Sequence, residues 1–307
     1  MIIVNNERDK GQAQPVFVQI PLRNKIHRVN KIVAAFDGLK YSADTAQYAI
    51  ELARQTGSFL TGVFLDDFTY SSFRIYELIQ KNELGEKDIQ HYRDRDQQTR
   101  DAAAQHFEKA CRAASIQHTI HRDKKICLPE LLHESVYADL LIIDQKETFT
   151  HYEEKLPTRF IRDLLADVQC PVLLVNQSWT PIEKLVFLYD GAPSSVNAVK
   201  SFNYLFPLLA AEPALVLSSK GYYGDLHLPD NKLMKEFMKR HYPKAAYEVL
   251  KGQPEEEIIS RVKKETKGSL IIIGANRRGL VSRWFKKSMA DLLMEASLGP
   301  IFIAHSN

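Results

Sequence analysis

Cysteine is scarce in this chain of 307 residues, which holds only Cys111, Cys127 and Cys170 and no CxxC pair. So few thiols, odd in number, argue against a disulfide framework and suit a reducing cytoplasm. No apolar run approaches the roughly 18 residues of a membrane span, and the start of the chain lacks the apolar region of a secretion signal. A cytoplasmic location is the expectation. Charge of one sign is lacking too: 41 Lys and Arg face 38 Asp and Glu, and the formal +3 is too small to imply nucleic acid by itself. Signatures of chemistry are also missing. The sequence has no GxSxG elbow, no GxxxxGK phosphate loop and no HExxH, and nothing nominates a nucleophile with its base. His118 and His121, three apart on a predicted strand, point to opposite faces and do not make a two-ligand metal face.

What is present is an average globular composition, 45% hydrophobic and 26% charged, on a length that fits two domains of about 150 residues. Residues 1–30 are mixed and polar and read as an N-terminal arm. From Lys31 the pattern becomes periodic. Ile32 to Phe36 is a buried strand ending at Asp37-Gly38, and Ser42 caps a helix with Ala46, Ala49, Ile50 and Ala53 at helical spacing up to Gly57. Strands are predicted over 59–65, 116–121, 140–143 and 171–175, with helices over 86–114, 129–137 and 158–168. Alternating strands and helices call for a parallel sheet with helices on both faces.

The pattern then restarts. Leu185 to Gly191 (LVFLYDG) repeats Ile32 to Gly38 (IVAAFDG), and Ser194 or Ser195 takes the capping place of Ser42. Pro254 opens a helix as Pro129 does, Leu270–Ile273 matches Leu140–Ile143, and Pro300 with its apolar followers matches Pro171 with its own. Landmarks repeated in the same order indicate one α/β domain present twice, over 31–176 and 184–307.

At these landmarks the chain resembles the universal stress protein family in its tandem, two-domain form. The resemblance covers nearly everything from Lys31 to Ala304. It implies two open, parallel five-stranded sheets with helices on both faces, a Rossmann-like fold of the wider adenine-nucleotide α-hydrolase-like group. Nucleotide-binding members carry Gly-x2-Gly-x9-Gly-Ser/Thr after the fourth strand. Laid on the second half, that spacing keeps Gly274 and Ser288 but meets Arg277 and Lys287 where glycines belong. In the first half Asp144 stands in place of the first glycine, and a carboxylate there would repel phosphate.

The candidate site is therefore Asp190, Gly274, Arg277, Lys287 and Ser288. Asp190 ends the first strand of its half, at the edge where open α/β sheets place ligands; Asp190 and Asp37 would also serve as local turn caps. Arg277 and Lys287 could bond phosphate by charge, yet their side chains occupy space that a backbone cradle needs. The favoured reading is a remnant site that holds ATP or another adenine nucleotide, or a simple anion, only weakly. Functionally this describes a non-catalytic stress-response protein acting by binding. The competing class is an ATPase or nucleotidyl-transferring enzyme using Asp190, Ser288, Arg277 and Lys287 around a triphosphate. Expected partners are a protein or a second copy, with the two domains forming an internal pseudo-dimer. The stretch 261–287 carries nine cations against Glu265 alone, a face for an acidic partner or simply a solvated one.

Overall fold

The computed structural model describes residues 30–66, 86–123, 126–220, 226–265, 267–276 and 288–306. The arm before Asn30, the aromatic run holding Tyr70, Phe73 and Tyr76, and Arg277, Trp284 and Lys287 lie outside these residues.

Strand β1 (Lys31–Asp37) explains why the sheet forms. Ile32, Ala34 and Phe36 enter one hydrophobic core while Val33 and Ala35 enter the other. A strand buried on both faces must be apolar throughout, which is the pattern of parallel sheets. The chain then turns at Asp37, whose Oδ1 accepts from the Leu39 N–H at 2.8 Å. Helix α1 (Ala43–Thr56) begins at Ser42, whose hydroxyl accepts from the Thr45 N–H, and ends at Gly57 in the left-handed region with φ of 66°.

Further units follow in order: β2 (Phe59–Leu65), α2 (Glu86–Ala113), β3 (His118–Asp123), α3 (Cys127–Val136), β4 (Leu140–Asp144), α4 (Arg159–Asp167) and β5 (Val172–Val175). After the linker come β6 (Lys184–Leu188), α5 (Pro193–Leu205), a short 3-10 turn (Pro207–Ala211) and β7 (Ala214–Lys220). Then come α6 (Asn231–His241), β8 (Ala246–Lys251), α7 (Pro254–Val262), β9 (Ser269–Asn276), α8 (Met289–Ala296) and β10 (Ile301–Ser306).

All ten strands belong to one sheet, in the order β3-β2-β1-β4-β5-β10-β9-β6-β7-β8. Each set of five is parallel and has the same internal order. The expected two sheets are joined by an antiparallel pairing of β5 and β10, with Ile301 opposite Leu174 and Ile303 opposite Val172. Helices α1, α2, α5 and α6 pack on one face and α3, α4, α7 and α8 on the other. Each core draws on residues from both sets of strands. Helix α1 sends Tyr48 and Leu52 into the same core that takes Phe202 from α5 and Phe302 from β10.

One local prediction is corrected. Neither Ser194 nor Ser195 caps α5; the cap is Ala192, with Pro193 in the first turn. Proline is suited to that position because the helix start needs no N–H from it. Ser195 instead lies inside the helix and donates to the Ala192 carbonyl at 2.7 Å. Helix α3 likewise starts at Cys127, ahead of the predicted Pro129.

Candidate functional site

In the second half, β6 and β9 lie side by side while their connections leave in opposite directions, β6 toward β7 and β9 toward β10. Such a switch point opens a crevice at the carboxyl ends of the strands. A cleft of about 980 Å³ lies there. Asp190, Gly274 and Ser288 all line it, together with Ser219 from the end of β7 and His305 from β10. Three of the five predicted residues are thus brought together; Arg277 and Lys287 fall outside the described residues.

Each of the three has a local structural duty. Asp190 is exposed, and its Oδ1 accepts from the Ala192 N–H at 2.9 Å, shaping the turn into α5. Gly274 sits where α5 crosses β9: an added Cβ would lie 2.2 Å from the Ser194 carbonyl oxygen and 2.5 Å from the Ser195 nitrogen. Its missing side chain is thus required by helix-on-strand packing before any ligand is considered. Ser288 caps α8. Its hydroxyl accepts from the Asp291 N–H at 3.1 Å, and the Asp291 carboxylate accepts from the Ser288 N–H at 2.7 Å. This reciprocal capping box satisfies two of the donors that a helix start would otherwise offer to phosphate.

Asp291 also lines the cleft, so a carboxylate stands at the helix start where a polyphosphate would need positive potential. The described residues therefore fit a ligand at the sheet edge but not a triphosphate laid across the start of α8. The floor is chiefly apolar, made by Leu188, Ile258, Ile273 and Ile303. One wall was not anticipated from sequence: Arg159, Arg162, Asp163, Leu165 and Ala166, all from α4 of the first half. The antiparallel joint causes this, because it sets the amino end of β5, which α4 feeds, beside the carboxyl end of β10.

The corresponding edge of the first half is filled by its own side chains. Lys40 Nζ donates to the Thr150 carbonyl at 2.7 Å and to Thr148 Oγ1 at 3.2 Å, and lies 3.6 Å from Asp37 and 3.7 Å from Glu147. Burial, together with the nearby Asp37 charge, pushes the Glu147 carboxyl up to about 7. Asp144 accepts from the Ser42 hydroxyl at 3.1 Å, so a side-chain contact stands where Gly274 permits backbone approach. Beyond it, Arg100 and Asp66 form a buried ion pair at 2.8 Å, and the Arg100 stem covers Gly38.

The basic stretch is partly neutralised where it is described. Arg261 donates to Glu248 of β8 and to Glu265, and Glu265 also pairs with Lys184. His121 lies against Glu134, and the His118 ring faces the Ile116 carbonyl.

No protein-family model matches the chain, and no curated protein matches it. Solved structures do share its fold. The crystal structure of a universal stress protein from Archaeoglobus fulgidus DSM 4304 matches with a TM-score of 0.68 at 13% identity, covering 91% of this chain and 99% of that one. A functionally unknown protein from Pseudomonas aeruginosa PAO1 matches with a TM-score of 0.55 at 12% identity, covering 91% and 93%. The ten-stranded, mostly parallel α/β architecture is therefore that of universal stress protein structures.

Proposed function

We propose that this chain is a tandem universal-stress-type protein, with domains over 31–176 and 184–307, that acts by binding and not by catalysis. The reading is carried by the second-half cleft, where Asp190, Gly274 and Ser288 meet at the sheet edge while the start of α8 is closed by its own capping box. A small ligand with a short anionic group suits that cleft, and ATP is held weakly at best. Two of the hydroxyls there are committed to local backbone, Ser288 accepting from the Asp291 N–H and Ser195 donating to the Ala192 carbonyl. The likeness to universal stress protein structures supports the class, and the β5–β10 joint supports the internal pseudo-dimer. Self-association or a protein partner in the cytoplasm completes the proposal; in the described residues no helix is long and apolar enough to cross a membrane.

The test begins with the purified protein. Denaturation and chromatography should release no stoichiometric ATP, and calorimetric titration with Mg-ATP should give binding weaker than micromolar, without turnover. Asp190→Ala should weaken what binding there is. Micromolar affinity with hydrolysis lost in Asp190→Ala would establish the competing enzyme reading instead.

A further inference from the structure

The cleft assigned above to the second half is walled by a helix of the first. Helix α4 turns its inner side, Ile161 and Leu164, into the core beneath the sheet. Its other positions Arg159, Arg162, Asp163 and Ala166 recur at helical spacing, so they share a face, and all four line the cleft. The charges on that face are unequal in their commitments. Arg159 Nε lies 3.7 Å from Asp163, and its backbone N–H bonds Glu154. Arg162 has no side-chain hydrogen bond or ion pair to any described residue, although it lines both this cleft and a neighbouring pocket with Asp291 and Glu295. Across the cleft Asp190 uses only Oδ1 for its turn, leaving its second carboxylate oxygen without a partner among the described residues.

The two uncommitted groups differ in kind. A carboxylate oxygen accepts from hydroxyls or amines; a guanidinium donates in a planar fork that matches phosphate or carboxylate. Between them lies an apolar floor. The anion position that a helix start would provide is already taken by Asp291, which leaves α4 as the described source of positive charge for an anionic ligand.

We propose that the second-half cleft is a composite site completed by the first half, in which Arg162 receives the single anionic group of a hydroxylated phosphate monoester whose hydroxyls face Asp190. This rests on the binding reading given above and specifies its ligand. A nucleoside monophosphate has the required order of parts: a flat body for the apolar floor, sugar hydroxyls and one phosphate. Asp163 and Asp291 also line the cleft, and their negative charge disfavours two further phosphates, so the monoester is preferred over the triphosphate.

The experiment uses the full chain and three probes, AMP, adenosine and ATP, in calorimetric titrations of the wild type, Arg162→Ala, Arg162→Lys and Asp190→Ala. Wild type should bind AMP about tenfold more tightly than adenosine and more tightly than ATP, the scale of one charge-assisted hydrogen-bonded pair. Arg162→Ala should bind AMP only as well as adenosine while its adenosine affinity stays at the wild-type value. Arg162→Lys should recover part of the difference. Asp190→Ala should weaken AMP and adenosine alike. Arg162 is exposed, so its variants should keep the wild-type thermal melt. If AMP binds and Arg162→Ala leaves it unchanged, the composite site is wrong and the binding reading survives. If no probe binds the wild type, both fall.

Discussion

At the scale of the residue, Gly274 carries two demands that coincide in one atom. The family spacing places a glycine there for a nucleotide loop, and the fold needs none but glycine there for α5 to cross β9. The second demand is visible as the 2.2 Å gap between an added Cβ and the Ser194 carbonyl oxygen. Real Cβ atoms do not come that near to backbone, so Gly274→Ala must push α5 away from the sheet. An overpacked site of this type costs about 2 kcal/mol. Urea denaturation should show that loss, and nucleotide titration should show a weakened cleft, since Ser194 and Ser195 line it as well. An alanine variant with wild-type stability would mean that α5 does not seat where it is placed. A glycine kept at a motif position is thus poor evidence for a ligand unless the packing at that position has been examined first.

At the scale of the element, the segment 145–157 links the two functional edges. Its amino end closes the first half: Thr148 and Thr150 hold Lys40, and Glu147 is buried against Asp37. Its carboxyl end anchors α4, because the cap Thr158 donates to the Glu147 carbonyl at 2.7 Å and accepts from the Ile161 N–H. A carboxyl raised from 4.5 to about 7 binds its proton more tightly folded than unfolded. Its contribution is fully present below pH 4.5 and is lost as pH rises toward 7, by about 1.4 kcal/mol per pH unit in that window. Glu147→Gln keeps the hydrogen-bonding shape without the titration. It should flatten the stability profile between roughly pH 5 and 7, measured by urea unfolding at fixed pH steps. An unchanged slope in the variant would place the titrating group elsewhere. This element also marks how far the sequence could be read. β1, α1 and β2 were legible because period-2 and helical spacing are local and their caps, Ser42 and Gly57, are unambiguous. The start of α5 misled because two serines sit next to a Pro193 that fits the first turn better. The self-filled first edge and the α4 wall were not legible at all, since Lys40 meets Thr150, and Arg162 comes to line one cleft with Asp190, only through the tertiary fold.

At the scale of the molecule, the joint between β5 and β10 decides whether the two sets of strands behave as one body. Strand pairing alone is three residue pairs long, Ile301 to Ile303 against Leu174 to Val172. The cores bind the halves more strongly: each face of the sheet has one cluster, and both clusters run through both halves, so apolar burial does not stop at the joint. Burial on that scale outweighs a few strand hydrogen bonds and should make unfolding a single cooperative event. Trp179 reports on the first half, its ring edge-on to Tyr48 of α1 with centroids 4.8 Å apart. With the other tryptophan removed as Trp284→Phe, Trp179 fluorescence and far-UV circular dichroism should trace the same urea midpoint. Ile303→Asp then tests the coupling directly. It buries a charge at a fully enclosed position in β10, opposite Val172, and should cost about 3 kcal/mol or more. If the halves are one unit, that lesion in the second half lowers the Trp179 midpoint as far as the dichroism midpoint. If Trp179 keeps its wild-type midpoint while dichroism drops in two steps, the halves unfold separately. A cleft with walls from both halves would then lose its floor while the α4 wall stays folded.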